Sequence, residues 1–202
     1  MKNNIIDIKR VETTTTEPVT LTEVKAHLLV TFSDDDTLLT SLITQCRTKI
    51  EDWCNVSIIA KTVTMIADLY TEWELPYGPV IGIQGVQTRT ATQGSGLPTY
   101  QTLTSGWAVD GVDFLTFDPF FTNTEWNLPA DVWLQGGDLN YRYKIIYTVG
   151  YDVVPVDLKL AILNEIAFRY ENRGEGSTVL SAPGICQAAA VLAQAYKRIS
   201  WL

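Results

Sequence analysis

The chain has 202 residues, of which 15 are basic and 23 acidic, for a net charge of −8, and 46% of it is hydrophobic. This is a globular composition with enough length for a core without disulfide or metal staples, so an intrinsically disordered chain is excluded. A pI near 4.6 also argues against a free-standing nucleic-acid binder, which needs clustered Lys and Arg for the phosphates, but not against a protein that DNA merely passes.

Residues 1–17 are polar, with a threonine run from Thr13 to Thr16, and read as a flexible or extended N-terminal arm. They contain no signal-peptide hydrophobic stretch, and no run in the chain approaches the ~20 apolar residues of a membrane helix. A reducing cytoplasm and no membrane partner are therefore expected. Pro18-Val19-Thr20-Leu21-Thr22-Glu23 then announces a short helix. Thr20 is the cap, and Glu23 three residues on completes a capping-box spacing. Leu21, Val24 and Leu28 share one face, and the helix ends near Val30.

Ser33-Asp34-Asp35-Asp36 offers a second start, with negative charge where a helix N-terminus favours it. Leu39, Leu42, Ile43, Cys46, Ile50 and Trp53 recur at steps of three and four, predicting a helix from Asp35 to Cys54 that exits at Asn55. From Ile59 to Ile66 the chain is β-branched and partly alternating, and reads as a strand. Val80 to Thr92 alternates weakly. Residues 93–140 are rich in turn formers and aromatics and read as several short strands and loops. The clearest strand is Tyr141 to Val149, with Tyr143, Ile145, Tyr147 and Val149 on one face.

Helix returns at Pro155-Val156-Asp157 and runs to Asn172, through Leu158, Ala161, Ile162 and Ile166. A Gly/Ser/Thr linker follows. A last helix is predicted from Pro183 to the terminus, with a stripe of Ile185, Ala188, Ala189, Leu192, Ala195, Tyr196 and Ile199 finishing at Trp201-Leu202. The fold class is α+β. A helical frame of about four helices, from residues 18–57 and 150–202, carries a large antiparallel β-rich insertion at residues 58–149.

Few residues suggest catalysis. No GxSxG, HExxH, P-loop or GxGxxG pattern occurs. The single histidine, His27, lies on a short helix, where packing or exposure explains it better than a nucleophile system. Asp34-Asp35-Asp36 is explained by capping, and three cysteines without CxxC spacing read as small core residues. No enzyme activity, metal or cofactor is expected. Two other readings stay open. The aromatics around Trp107 and Trp126 could serve a carbohydrate or host-surface module of a virion. Glu72 and Glu74, or acids within residues 110–138, could form a paired-carboxylate site.

Pro18 to Leu28, then Asp34-Asp35-Asp36-Thr37-Leu38-Leu39, and Ile50-Glu51-Asp52-Trp53-Cys54 together resemble the opening of the tailed-phage head–tail connector (adaptor) family. Ile145 to Tyr151, Val154 to Leu163 and Tyr170-Glu171-Asn172-Arg173 resemble the family's later strand, Gly-Tyr, Pro and helix pattern. The resemblance covers roughly residues 18–70 and 141–200. It implies a structural virion protein at the neck, made in the host bacterial cytoplasm. It also implies a ring of twelve subunits beneath the portal protein, a further neck or tail-completion neighbour, and a channel that DNA crosses without sequence-specific binding. By the same resemblance, Ile185, Leu192, Tyr196, Ile199, Trp201 and Leu202 would dock on the portal. Leu39, Leu42, Ile43, Ile50, Trp53, Leu158, Ile162 and Ile166 would build the ring frame.

The charge is unevenly distributed. Residues 62–141 hold nine acids and one base, Arg89, so the net −8 belongs to the β-rich insertion and the rest of the chain is balanced. The insertion is expected to face outward, rather than to repel DNA at the channel wall.

Overall fold

The computed structural model describes residues 5–68, 72–90, 99–104, 107–110, 114–117, 142–173 and 184–198. The architecture is α+β, in two compact units. One comprises Thr14–Ala60 and Gly150–Ser200, the other Met1–Thr13 and Lys61–Val149.

The helical unit begins with α1 (Leu21–Leu28), whose capping box forms in full. The Glu23 N–H donates to Thr20 Oγ1 at 3.2 Å, and the Thr20 N–H donates to Glu23 Oε2 at 2.6 Å. The backbone bond from Thr20 is the leading reason the Glu23 carboxyl sits below the usual carboxylate range. Helix α2 (Asp36–Cys54) ends at Asn55, whose left-handed φ of 58° an asparagine tolerates better than most residues. Helix α3 (Val156–Glu171) starts after Pro155. Asp35, at the start of α2, accepts from the Tyr170 hydroxyl and from Arg173 Nη1 near the end of α3, so the two helices run antiparallel. Leu39, Ile43, Cys46 and Ile50 of α2 and Leu158, Ala161, Ile162 and Ile166 of α3 form the shared core, joined by Val19, Val24 and Ile58.

The final helix differs from expectation. Helix α4 is Gln187–Ala193, followed by a 3-10 turn at Gln194–Tyr196, and Lys197 is extended. The helical stripe is broken by bonds to residues distant in sequence. Gly184 has a φ of +98° and Cys186 is extended, its Sγ accepting the Ala189 N–H, so the helix starts after Cys186, while the Cys186 N–H donates to Glu165. The Arg198 N–H donates to the Cys54 carbonyl at 2.8 Å, satisfying an end of α2 instead of extending α4.

The β unit is built on a five-stranded antiparallel sheet in the order β1-β2-β8-β4-β5. The strands are β1 (Ile5–Glu12), β2 (Lys61–Asp68), β4 (Val80–Thr90), β5 (Thr99–Leu103) and β8 (Arg142–Val149). A three-stranded sheet, β3-β7-β6, is formed by Glu72–Glu74, Phe114–Phe117 and Trp107–Asp110. Alternation puts Val63, Met65 and Ala67 of β2 and Tyr143, Ile145, Tyr147 and Val149 of β8 into one core. Val86, Leu75 and Leu115 join them. The Tyr147 hydroxyl reaches the Pro76 carbonyl at 3.1 Å, so this buried phenol keeps a partner.

Two N-terminal details depart from the sequence reading. The residues read as a free arm include a paired edge strand, with Ile8 opposite Met65 and Arg10 opposite Val63. Its alternation of Ile8 against exposed Asp7 and Lys9 is a sheet pattern, and those charges suit an edge. The following strand starts at Lys61 rather than Ile59, because Ile58 and Ile59 are buried in the preceding turn. That turn also explains Gly150, whose φ is +127°. A Cβ there would lie 2.6 Å from the Ile59 carbonyl oxygen, so only glycine fits.

Candidate assembly surfaces

The residues expected to build a ring frame lie inside this chain's own core. Leu39, Ile50, Leu158, Ile162 and Ile166 are fully buried, Leu42 and Ile43 nearly so, and only Trp53 is half-buried. The seven buried ones hold the helical unit together. The expected docking stripe divides similarly. Ile185 is buried, and Leu192 and Tyr196 pack against the helical core. Ile199, Trp201 and Leu202 lie outside the described residues, as does Trp126. The last helix, whose apolar stripe could equally have faced its own core or another subunit, packs within its own unit. Tyr196 meets Tyr151 edge-to-face at 6.4 Å, and its hydroxyl approaches Asp157 at 3.4 Å.

Two buried carboxylates escaped the sequence reading. In α2, Arg47 Nη1 donates to Glu51 Oε2 at 2.8 Å, while Glu51 Oε1 accepts the Ile58 N–H at 2.7 Å. Glu17 closes the set, accepting from Arg47 Nε at 2.7 Å. In α3, Arg169 Nε donates to Glu165 Oε1 and the Cys186 N–H to Glu165 Oε2, both at 2.7 Å. Each helix therefore holds a downstream segment by one fully buried glutamate neutralised by an arginine four residues away. The i,i+4 spacing was a visible signal, but on an exposed helix face it would mean little. Burial is what turns each pair into a structural bond.

The thiols are equally enclosed. Desolvation pushes Cys46 up to about 12 and Cys54 up to about 11, and raises Cys186 as well. None is poised as a nucleophile. Among the described residues no group of three His, Cys, Asp or Glu side chains could hold a metal ion. No described helix is long and apolar enough to cross a membrane. Of the carboxylates weighed for sugar chemistry, Glu72, Glu74 and Asp110 lie on the small sheet, where β3 pairs Glu72 with Thr116 and Glu74 with Phe114, and the others lie outside the described residues.

Among the described residues, several large apolar side chains lie in solvent. In the helical unit these are Leu29 at 89% and Phe32 at 51% exposure, between α1 and α2. Val153 at 81%, Val156 at 77% and Leu160 at 38% flank the start of α3, and Val191 lies on α4. The β unit exposes Val11, Ile81 and Val109.

Comparison with known proteins gives these surfaces a context. Residues 18–77 match the family model of the phage gp6-like head-tail connector protein. A search of curated proteins found no match. Among solved structures, a chain from the neck of an empty gene transfer agent particle, computed with C6 symmetry, is similar over 98% of both chains. The TM-score is 0.67 at 17% identity. A chain from the neck of the native particle, computed with C12 symmetry, matches over 98% of both with a TM-score of 0.65 at 17% identity. A chain from the native gene transfer agent virion matches over 96% of this chain and 97% of that one, with a TM-score of 0.64 at 18% identity. Residues 18–77, carrying α1, α2 and β2, thus match the phage gp6-like head-tail connector family, on a fold shared with gene transfer agent neck chains over nearly the whole length.

Proposed function

We propose that this protein is a structural subunit of the head–tail connector ring in the neck of a phage-like particle, where it joins the DNA-filled head to the tail and leaves a channel for DNA. The observation that carries this reading is the coincidence of the connector-family match at residues 18–77 with a whole-length fold likeness to neck chains of C6 and C12 reconstructions. The reading places copies side by side in a ring, of twelve in the fullest form, against the portal on one side and a further neck protein on the other. It requires no catalytic residue and no cofactor. Synthesis in the host cytoplasm, with no membrane step, belongs to the same reading.

The portal-facing element is proposed to be the end of the chain, from Ile199 through Trp201 and Leu202. Ile185, Leu192 and Tyr196 act as the anchor that ties that end to the helical unit. The charge distribution supports a non-gripping channel. Within residues 62–141 the sequence carries nine acids against one base, Arg89. Acidic segments of this kind keep copies solvated and do not retain DNA.

The test is complementation. Particles made without this chain should accumulate as filled heads and separate tails, and adding the purified protein should restore joined particles. Normal head–tail joining in its absence would refute the reading. Native mass spectrometry with the purified portal should show multiple copies bound per portal ring.

A further inference from the structure

The exposed apolar side chains flanking α2 and α3 sit at two opposite ends of the helical unit. Leu29 and Phe32 adjoin the start of α2, near the end of α3, because Lys25 of α1 is bonded to Asp36 at 2.7 Å and Asp35 meets Tyr170. Val153, Val156 and Leu160 lie at the other end of α3. Val156 and Tyr170 are 14 positions apart on one helix, a separation of about 21 Å. Val156 and Leu160 are spaced i,i+4 and so share a helix face.

We infer that these two ends are the two halves of one contact between copies of this chain, the Leu29/Phe32 end of one copy packing on the Val153/Val156/Leu160 end of the next. This rests on the ring reading above. A cyclic ring of identical subunits is closed by heterologous contacts, so each copy must carry two different faces that fit each other, at separate places on one rigid body. An isologous dimer needs only one face and leaves the other end bare. The helical unit supplies both ends, while the aliphatic residues along the body between them, from Leu39 to Ile50 and from Leu158 to Ile166, are largely turned into its own core. The number of anchors suits a contact of this kind. A few apolar anchors a side, ringed by polar residues, are what carries most of the energy in an ordinary protein interface.

The test uses assembled particles that carry the full chain with a benzoyl-phenylalanine photocrosslinker at position 29, a fully solvent-facing site. Irradiation should yield crosslinked dimers of the chain, and peptide mapping should place the link within residues 153–160 of the second copy. A link to another protein, or to another part of a second copy, overturns the inference while leaving the ring intact. Particles lacking any ring of this chain would overturn the proposed function instead. As an independent measurement, Val156→Asp should reduce incorporation into particles on the order of tenfold with an unchanged melting temperature. Full incorporation of that variant also overturns the inference.

Discussion

Glu165 and Cys186 are joined by a 2.7 Å bond from the backbone N–H of Cys186 to a carboxylate oxygen that is fully buried. This contact ties the N-cap of α4 to α3. It is strong because Arg169 balances the charge on the other oxygen at 2.7 Å.

Glu165→Ala removes both bonds, leaving the buried Cys186 N–H without its acceptor and Arg169 with the Gly184 carbonyl but no counter-charge on its own helix. We expect a loss of about 3–5 kcal/mol in denaturant unfolding. An unchanged midpoint would show that α4 does not depend on this bond.

The α2 set should behave in graded fashion. Glu51→Ala should also cost about 3–5 kcal/mol, because Arg47 and the Ile58 N–H both lose a buried partner. Glu17, with a side chain 24% exposed, should matter less when truncated, by roughly 1 kcal/mol. Equal losses for the two variants, measured by urea titration, would contradict this ordering.

Gly150→Ala forces a Cβ to within 2.6 Å of the Ile59 oxygen at a φ of +127°. The backbone strain alone is worth about 1–3 kcal/mol, and the clash adds to it. A lowered melting temperature with the same far-ultraviolet circular dichroism is the expected result.

Cys46 and Cys54 should resist thiol reagents in the native state at pH 8 and react on unfolding. Their folded values are raised from an ordinary 9.0 to about 12 and about 11, chiefly by desolvation. Proton loss therefore favours the unfolded chain. The protonated thiols' contribution is fully present below about pH 9 and is lost progressively as pH rises towards 11 and 12. Fast native-state labelling of either thiol, followed by mass spectrometry, would count against their burial.

Deletions should separate the anchor from the docking end. Removing residues 183–202 takes Cys186, Ala189 and Ala193 out of the core, so the helical unit should unfold. Removing only residues 199–202 should preserve the melting curve and abolish portal binding. Retained binding would place docking elsewhere.

The sequence by itself determined the local elements. The Thr20/Glu23 capping box, the apolar spacing from Leu39 to Ile50, the Asn55 exit and the alternation from Tyr143 to Val149 are short-range patterns, and each marks its element within a residue or two. The same local patterns carried the family resemblance of residues 18–70, inside the segment that matches the connector family. Tertiary structure decided which apolar faces stay inside. Periodicity marks a face as apolar but does not name its partner, so the stripe through Leu192 and Tyr196 read equally as a docking helix or a core helix. Only the fold shows it seated on its own unit, through hydrogen bonds between residues far apart in sequence, from Cys186 to Glu165 and from Arg198 to Cys54. The same holds for β1, whose charges hid a strand until β2 was beside it. What remains apolar and solvated, at Leu29 and Phe32 and at Val153 and Val156, became visible only after that internal pairing was subtracted. A surface for assembly is whatever the fold leaves unpaired, and pairing is a property of three dimensions.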